Sequence, residues 1–228
     1  MIKDINNELT NHIFSVLNSD IKYFLDIGCG DGNLTSKIST KCRFTSGIEP
    51  DFKKITHANT KSSDKLFYIV NSGTELAFKD LSFDMVLFCQ SLHHIPAEKQ
   101  NFALKEAGRV LKKDGILLII EPLYNTGLYG ELVALLNNEK ELKANALKEI
   151  KKLKNQSFIS VFEKQLKIDF LINGFSDFYS SKVENKPGIN WDQNIEKASK
   201  KIISKGEKDN KGKIIIDYFI NSFCFKKI

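Results

Sequence analysis

The stretch "FLDIGCGDGNLT" (residues 24–35) places Gly28, Gly30 and Gly32 within five positions, directly after an apolar run that contains Asp26. Glycine weakens the interior of a helix or strand, so such a cluster marks backbone that must turn sharply or approach a ligand closely. Three uses fit: a phosphate-binding turn, a plain tight turn, or a cradle for another nucleotide-like cofactor. Spacing separates them. A dinucleotide fingerprint, G-x-G-x-x-G, requires glycine at position 33, where this chain has Asn33. A P-loop requires Gly-Lys followed by Ser or Thr, and none follows here. What stands is D-x-G-x-G-x-G, Asp26 through Gly32.

The loop needs elements to position it. Residues 4–18 have Ile5, Leu9, Ile13, Val16 and Leu17 near helical spacing. Apolar runs at 22–27, 43–49, 65–70, 83–89 and 116–121 read as buried strands. Helical patterns lie between them: one after the glycines to Ser39, one from Pro50 and Asp51, and one from Pro96 to about Lys112. In the last, Phe102, Ala103, Glu106 and Val110 step around the helix. Lys112–Gly115 reads as a turn. Five buried strands with helical crossovers imply a parallel sheet covered on both faces. Beyond Glu121, residues 126–155 are helical, 161–170 alternate as a strand, and 213–227 close the chain as a long strand. Residues 171–212, interrupted by Gly174, Pro187, Gly188 and Gly206, read as an insertion carrying one or two helices. The expected architecture is a single α/β domain over 1–228, a Rossmann-like, doubly wound, seven-stranded sheet whose last strand is antiparallel. Its cofactor-binding core is 20–122, its C-terminal half 123–212, and its substrate cap 171–212.

With these elements in place, "LDIGCGDG" resembles the first motif of class I S-adenosylmethionine-dependent methyltransferases. "GIEPD" resembles the end of that family's second strand, "NSGTELAFKDLSFDMVLFCQSLHHIP" its third and fourth strand region, and "VLKKDGILLIIEP" its fifth. The resemblance covers residues 20–122 with its motifs in the family's order. It implies S-adenosylmethionine as cofactor and assigns Asp26, Gly28, Cys29, Gly30 and Asn33 to the binding loop. Glu49, 21 residues after Gly28, takes the place of the acidic residue that accepts hydrogen bonds from the ribose hydroxyls, with Pro50 beside it. Where the family commonly has Ala-Glu before Leu-Pro-Phe, this chain has Gly73-Thr74-Glu75-Leu76-Ala77-Phe78, so backbone contacts from Ser72, Gly73 and Thr74 are expected. Gln90 and Ser91 follow the fourth strand, where they can meet the methionine part of the cofactor. "CQSLHH" replaces the Asn/Asp-Pro-Pro-aromatic stretch of enzymes that methylate adenine or glutamine, which argues against those substrates.

Candidate chemistry outside the cofactor loop is sparser. Either His93 or His94 is a candidate general base, His94 and Glu121 are the catalytic candidates, and His93, Glu121, Tyr124 and Tyr129 are the candidates for a substrate pocket. Adjacent histidines point apart and no acidic cluster accompanies them in sequence, so no metal site is expected. Residues 121–150 also bear some similarity to the methyltransferase domain of ovothiol-synthesis enzymes, which implies an imidazole nitrogen as one candidate acceptor.

Composition narrows the partners. The chain has 228 residues, 42% apolar and 27% charged, with net charge +6. It has no 18-residue apolar run, and its N-terminus is too polar for a signal peptide, so the expected location is cytoplasmic. Four cysteines without CxxC spacing imply free thiols. Charge is uneven: residues 1–138 carry 15 basic and 16 acidic side chains, residues 139–228 carry 19 and 12. A basic half suits nucleic acid, but only Arg43 and Arg109 are arginines, and nucleic-acid sites favour the arginine fork. A small-molecule acceptor is the first reading. An RNA or protein methyltransferase and a non-catalytic S-adenosylmethionine-binding module are the alternatives.

Overall fold

The computed structural model describes residues 3–4, 6–184, 189 and 191–228. Its strands are β1 (Lys3–Asp4), β2 (Tyr23–Ile27), β3 (Phe44–Glu49), β4 (Leu66–Val70), β5 (Phe83–Cys89), β6 (Leu111–Pro122), β7 (Phe158–Ile172) and β8 (Ile214–Lys227). The helices are α1 (Glu8–Val16), α2 (Asn33–Ser39), α3 (Phe52–Asn59), α4 (Ala97–Val110), α5 (Gly127–Leu136), α6 (Lys140–Lys152), α7 (Phe175–Lys182) and α8 (Gln193–Ile203). Strand order is β1-β7-β8-β6-β5-β2-β3-β4. The β6-β5-β2-β3-β4 ladder is parallel throughout, and the sheet is the mixed, mostly parallel one of a Rossmann-like fold.

Contacts divide the chain into two compact units. One comprises Ile13–Glu121, Leu142–Lys164 and Asn221–Ile228; the other comprises Met1–His12, Pro122–Glu141 and Gln165–Ile220. In the first, Leu25, Ile27, Val86, Phe88, Leu117 and Ile119 build one face of the core, against Ala103, Leu104, Ala107 and Val110 of α4. Phe24, Met85, Leu87, Leu118 and Ile120 point the other way and are equally buried. Burial on both faces is why these strands read as unbroken apolar runs. In the second unit, Tyr129 packs on Phe170 and Tyr218, with ring centroids 4.8 and 4.9 Å away.

Several expectations are corrected. The first helix does not begin at residue 4. Asp4 lies in the two-residue β1, an eighth strand paired with β7, and its carboxylate accepts from the Glu8 and Leu9 N–H groups at 3.1 and 3.2 Å. The aspartate thus serves the helix from outside it, supplying acceptors for N–H groups that have none within the helix. Ile5 lies outside the described residues. Lys112–Gly115 is a bulge inside β6, not a turn before it. Phe83 pairs with Leu111 and Met85 with Ile116, so the extra residues bow out, with Asp114 at φ 63°. Phe102 faces away from the α4 core and is exposed. The 171–212 segment does carry two helices, α7 and α8, while Pro187 and Gly188 lie outside the described residues. Asp51 caps α3, accepting from Lys53 N and Lys54 N, as an acceptor at that position should. Among the described residues no helix is long and apolar enough to cross a membrane.

Candidate functional site

The glycine loop leaves β2 at Ile27 and enters α2 at Asn33. Gly28, Gly30 and Gly32 have φ of 81°, 54° and 73°, the left-handed region that side chains with a Cβ rarely adopt. At Gly28 the space is closed as well, since a Cβ there would lie 2.5 Å from the Ser91 Cβ. Ser91 in turn donates its hydroxyl to the Ile27 carbonyl at 2.6 Å. The loop is tied to β3 because Gly28 N and Cys29 N both donate to the Ile48 carbonyl, at 2.8 and 2.9 Å. Glu49, ending β3, accepts from Gly30 N at 3.1 Å and from Asp51 N at 3.2 Å. The loop is thereby held between the ends of three neighbouring strands.

Asp26 sits beneath this loop. Thr35 on α2 donates to its Oδ2 at 2.6 Å, while Oδ1 is buried without a hydrogen-bond partner. Burial, reinforced by the nearby Glu49 charge and opposed by the Thr35 hydrogen bond, pushes the carboxyl up to about 6. An unpaired buried carboxylate oxygen is costly, and a cationic or N–H-bearing ligand would relieve that cost. The neighbouring thiol of Cys29 is driven far above its ordinary value by burial and by the Asp26 and Glu49 charges, so it is no nucleophile.

A cavity of about 240 Å³ opens at the carboxyl ends of these strands, where open α/β sheets bind ligands. Of the expected cofactor residues, Gly28, Glu49, Pro50, Ser72, Gly73, Thr74 and Ser91 line it, and so does His94. Asp26, Cys29, Gly30, Asn33 and Gln90 are not in its wall. Gln90, at φ 55°, turns the chain and donates its N–H to the Ile120 carbonyl. Sequence reasoning missed Ile27, Asn71, Ile95, Pro96 and two cations, Lys54 and Lys99. Each lysine occupies the first turn of a helix preceded by a proline, Pro50 directly after β3 and Pro96 after the 3-10 turn that follows β5. That signal was present in Pro50-x-x-x-Lys54 and Pro96-x-x-Lys99.

The expected substrate residues fall elsewhere. Glu121 is 6% exposed; its carboxylate accepts from Leu92 N at 3.0 Å and meets His93 Nδ1 at 2.5 Å. The pair pins the 3-10 turn Leu92–His94 rather than lining the cavity. The His94 ring lies 4.3 Å from that of His93. Tyr129 is buried in the aromatic cluster of its own unit, with the Lys182 ammonium 5.4 Å above its ring. Tyr124 is partly buried in that same unit.

Comparison with known proteins agrees with this geometry. Residues 25–119 match the methyltransferase domain family. An uncharacterized methyltransferase of Staphylococcus carnosus is 30% identical over 135 residues, 58% of this chain and 62% of the relative. The 27-O-demethylrifamycin SV methyltransferase of Amycolatopsis mediterranei is 32% identical over 101 residues, 42% of this chain and 36% of the relative. The chain thus spans between a third and two thirds of the length of these curated relatives. The crystal structure of the YcgJ protein of Bacillus subtilis superposes with TM-score 0.67 at 16% identity, covering 97% of this chain and 98% of the other. Residues 25–119 thus match a methyltransferase domain, and the relatives and the shared fold support the class I, S-adenosylmethionine-dependent family.

Proposed function

We propose that this protein moves a methyl group from S-adenosylmethionine to a small-molecule acceptor. The observation that carries the cofactor half is the fit of the loop. A buried Asp26 oxygen lacks a partner, beside a Gly28 position closed to any Cβ and a Glu49 carboxylate held at the cavity wall. These are the features a ligand with an ammonium group and ribose hydroxyls calls for. Glu49 would take the hydroxyls and Ser72–Thr74 the adenine edge, while Asp26, behind the loop and outside the cavity wall, would offer its charge to the ammonium. Bound S-adenosylmethionine supplies an electrophilic methyl on a sulfonium. The chain's own contribution is to orient the two reactants and keep water out. A neutral nucleophile such as an imidazole nitrogen needs no base. A hydroxyl acceptor does, and His94, at the cavity wall, is the side chain best placed to accept its proton.

The relative named for a demethylrifamycin supports a small acceptor, as that protein's name specifies one. The test is incubation of the protein with methyl-labelled cofactor and a fractionated cell extract. A labelled small molecule supports the reading. Label in RNA or protein instead would move the acceptor to a macromolecule. Cofactor binding without any labelled product would identify a non-catalytic module. Asp26→Ala and Glu49→Ala should each weaken cofactor binding in calorimetry; wild-type affinity in both would remove the assignment of the loop.

A further inference from the structure

Tyr68 of β4 is 7% exposed, although β4 is the last strand of the sheet. It pairs across the ladder with Gly47 of β3, and the missing side chain at 47 leaves a lane over that strand. The ring occupies the lane: a Cβ at Gly47 would lie 2.7 Å from the Tyr68 Cδ1. Beyond β3 the ring reaches the cofactor loop, where a Cβ at Gly32 would lie 2.6 Å from its Cζ. The hydroxyl donates to the Gly32 carbonyl at 2.9 Å. Gly32 is the N-cap residue of α2, the helix whose Thr35 fixes Asp26. One side chain therefore meets the loop backbone at the start of the helix whose Thr35 orients the buried carboxylate, and it does so only because positions 32 and 47 are both glycine.

We propose that Tyr68 is a positioning residue for the cofactor, a strut from the edge strand that holds the Gly28–Gly32 loop in its binding conformation. Its phenol lies outside the cavity wall; it acts through Gly32. The inference rests on the reading that this loop holds S-adenosylmethionine. It extends the binding site by one full strand, to a residue on a different element from any of the loop's expected contacts.

The test compares Tyr68→Phe, Tyr68→Leu, Gly47→Ala and the double variant Gly47→Ala/Tyr68→Leu. A fifth variant, Leu66→Ala, removes a buried neighbour in the same small cluster and serves as a stability control. The dissociation constant for S-adenosylhomocysteine is measured by calorimetry well below each melting temperature, with amide exchange at Gly30 and Gly32 as a second readout. Tyr68→Phe should bind about fivefold more weakly, the size of one lost hydrogen bond, with faster exchange at Gly32 and little change in melting temperature. Tyr68→Leu should lose more. Gly47→Ala should weaken binding by displacing the ring, and the double variant should recover part of that loss, because leucine vacates the lane. Leu66→Ala should lower the melting temperature and leave affinity unchanged. Wild-type affinity in Tyr68→Phe, or a loss in Leu66→Ala equal to that in Tyr68→Leu, would overturn the strut. If the wild-type protein binds no cofactor, the proposed function falls and the strut with it, an outcome distinct from the other two.

Discussion

Asp26 is the residue at which stability and function pull apart. Its folded pKa, about 6, lies above the ordinary carboxylate value, so ionisation is penalised by the fold. The stability attached to this group is fully present below about pH 4, is lost as pH rises through 6, and leaves a cost of ~3 kcal/mol at neutral pH. Asp26→Asn should therefore raise the stability of the ligand-free protein at pH 7 and not at pH 4, measured by urea unfolding at both. A cationic ligand needs the carboxylate, so cofactor affinity in the wild type should weaken below pH 6 by up to about tenfold per unit. The Asn variant should bind weakly with a flat profile. Two loop glycines make a second comparison. At Gly30 a Cβ meets open space, and Gly30→Ala should cost only the left-handed backbone, ~1 kcal/mol. At Gly28 the same change also collides with Ser91, and the total should reach ~3 kcal/mol, read as the difference between two denaturation midpoints.

At the scale of elements, α4 holds the segment that follows β4. Arg109 donates to both carboxylate oxygens of Glu106, to Asp80, and to the carbonyls of Leu76 and Phe78. Glu106 in turn accepts from Leu76 N at 2.8 Å. The guanidinium beside it holds the Glu106 carboxyl below its usual range, so this clamp is intact above the ordinary carboxylate pKa and opens only as pH falls through the lowered one. Lysine cannot reproduce a planar fork. Arg109→Lys should accelerate amide exchange at Leu76 and weaken cofactor binding several-fold through the adjoining Ser72–Thr74 wall, while the sheet itself stays protected. At the opposite ends of the strands, Asp84 accepts from Lys22 N, Tyr23 N and the Lys112 ammonium. It ties the entry of β2 to the bulge of β6. Asp84→Ala leaves the two backbone donors without that acceptor and should cost ~2 kcal/mol, with cofactor affinity unchanged because the loop lies at the other end of β2.

For the whole molecule, binding should appear as stabilisation. Saturating S-adenosylmethionine at a hundred times its dissociation constant should add ~2.7 kcal/mol, seen as a rise in melting temperature that is absent in Glu49→Ala. The lysine-rich half makes a separate prediction. If those charges serve solubility and not nucleic acid, RNA should bind weakly and without a steep dependence on salt. A steep salt slope would favour the macromolecular acceptor.

The order of strands and helices over residues 20–122 was legible because β2, β5 and β6 are buried on both faces, while the edge strand β4, whose Phe67, Ile69 and Val70 are exposed, is apolar enough to read as a buried strand that it is not. These are local patterns, written in consecutive residues. The glycine loop was legible for the same reason: its backbone demands fall on three positions within five. The bulge at Lys112–Gly115 was not, since Lys-Lys-Asp-Gly has the composition of a turn and only the pairing of Phe83 and Met85 with β6 shows that the strand continues. The site's second layer was equally hidden. Ser91 closes the space at Gly28 from 63 positions away, Tyr68 bonds Gly32 across 36, and Glu121 meets His93 across 28. A single sequence specifies which residues carry apolar, hinge-like or acidic chemistry, because that follows from the side chain itself. Which of them meet is decided by the register of the parallel ladder, which brings the ends of β2, β3 and β5 together and leaves the Asp26 oxygen buried and unpaired.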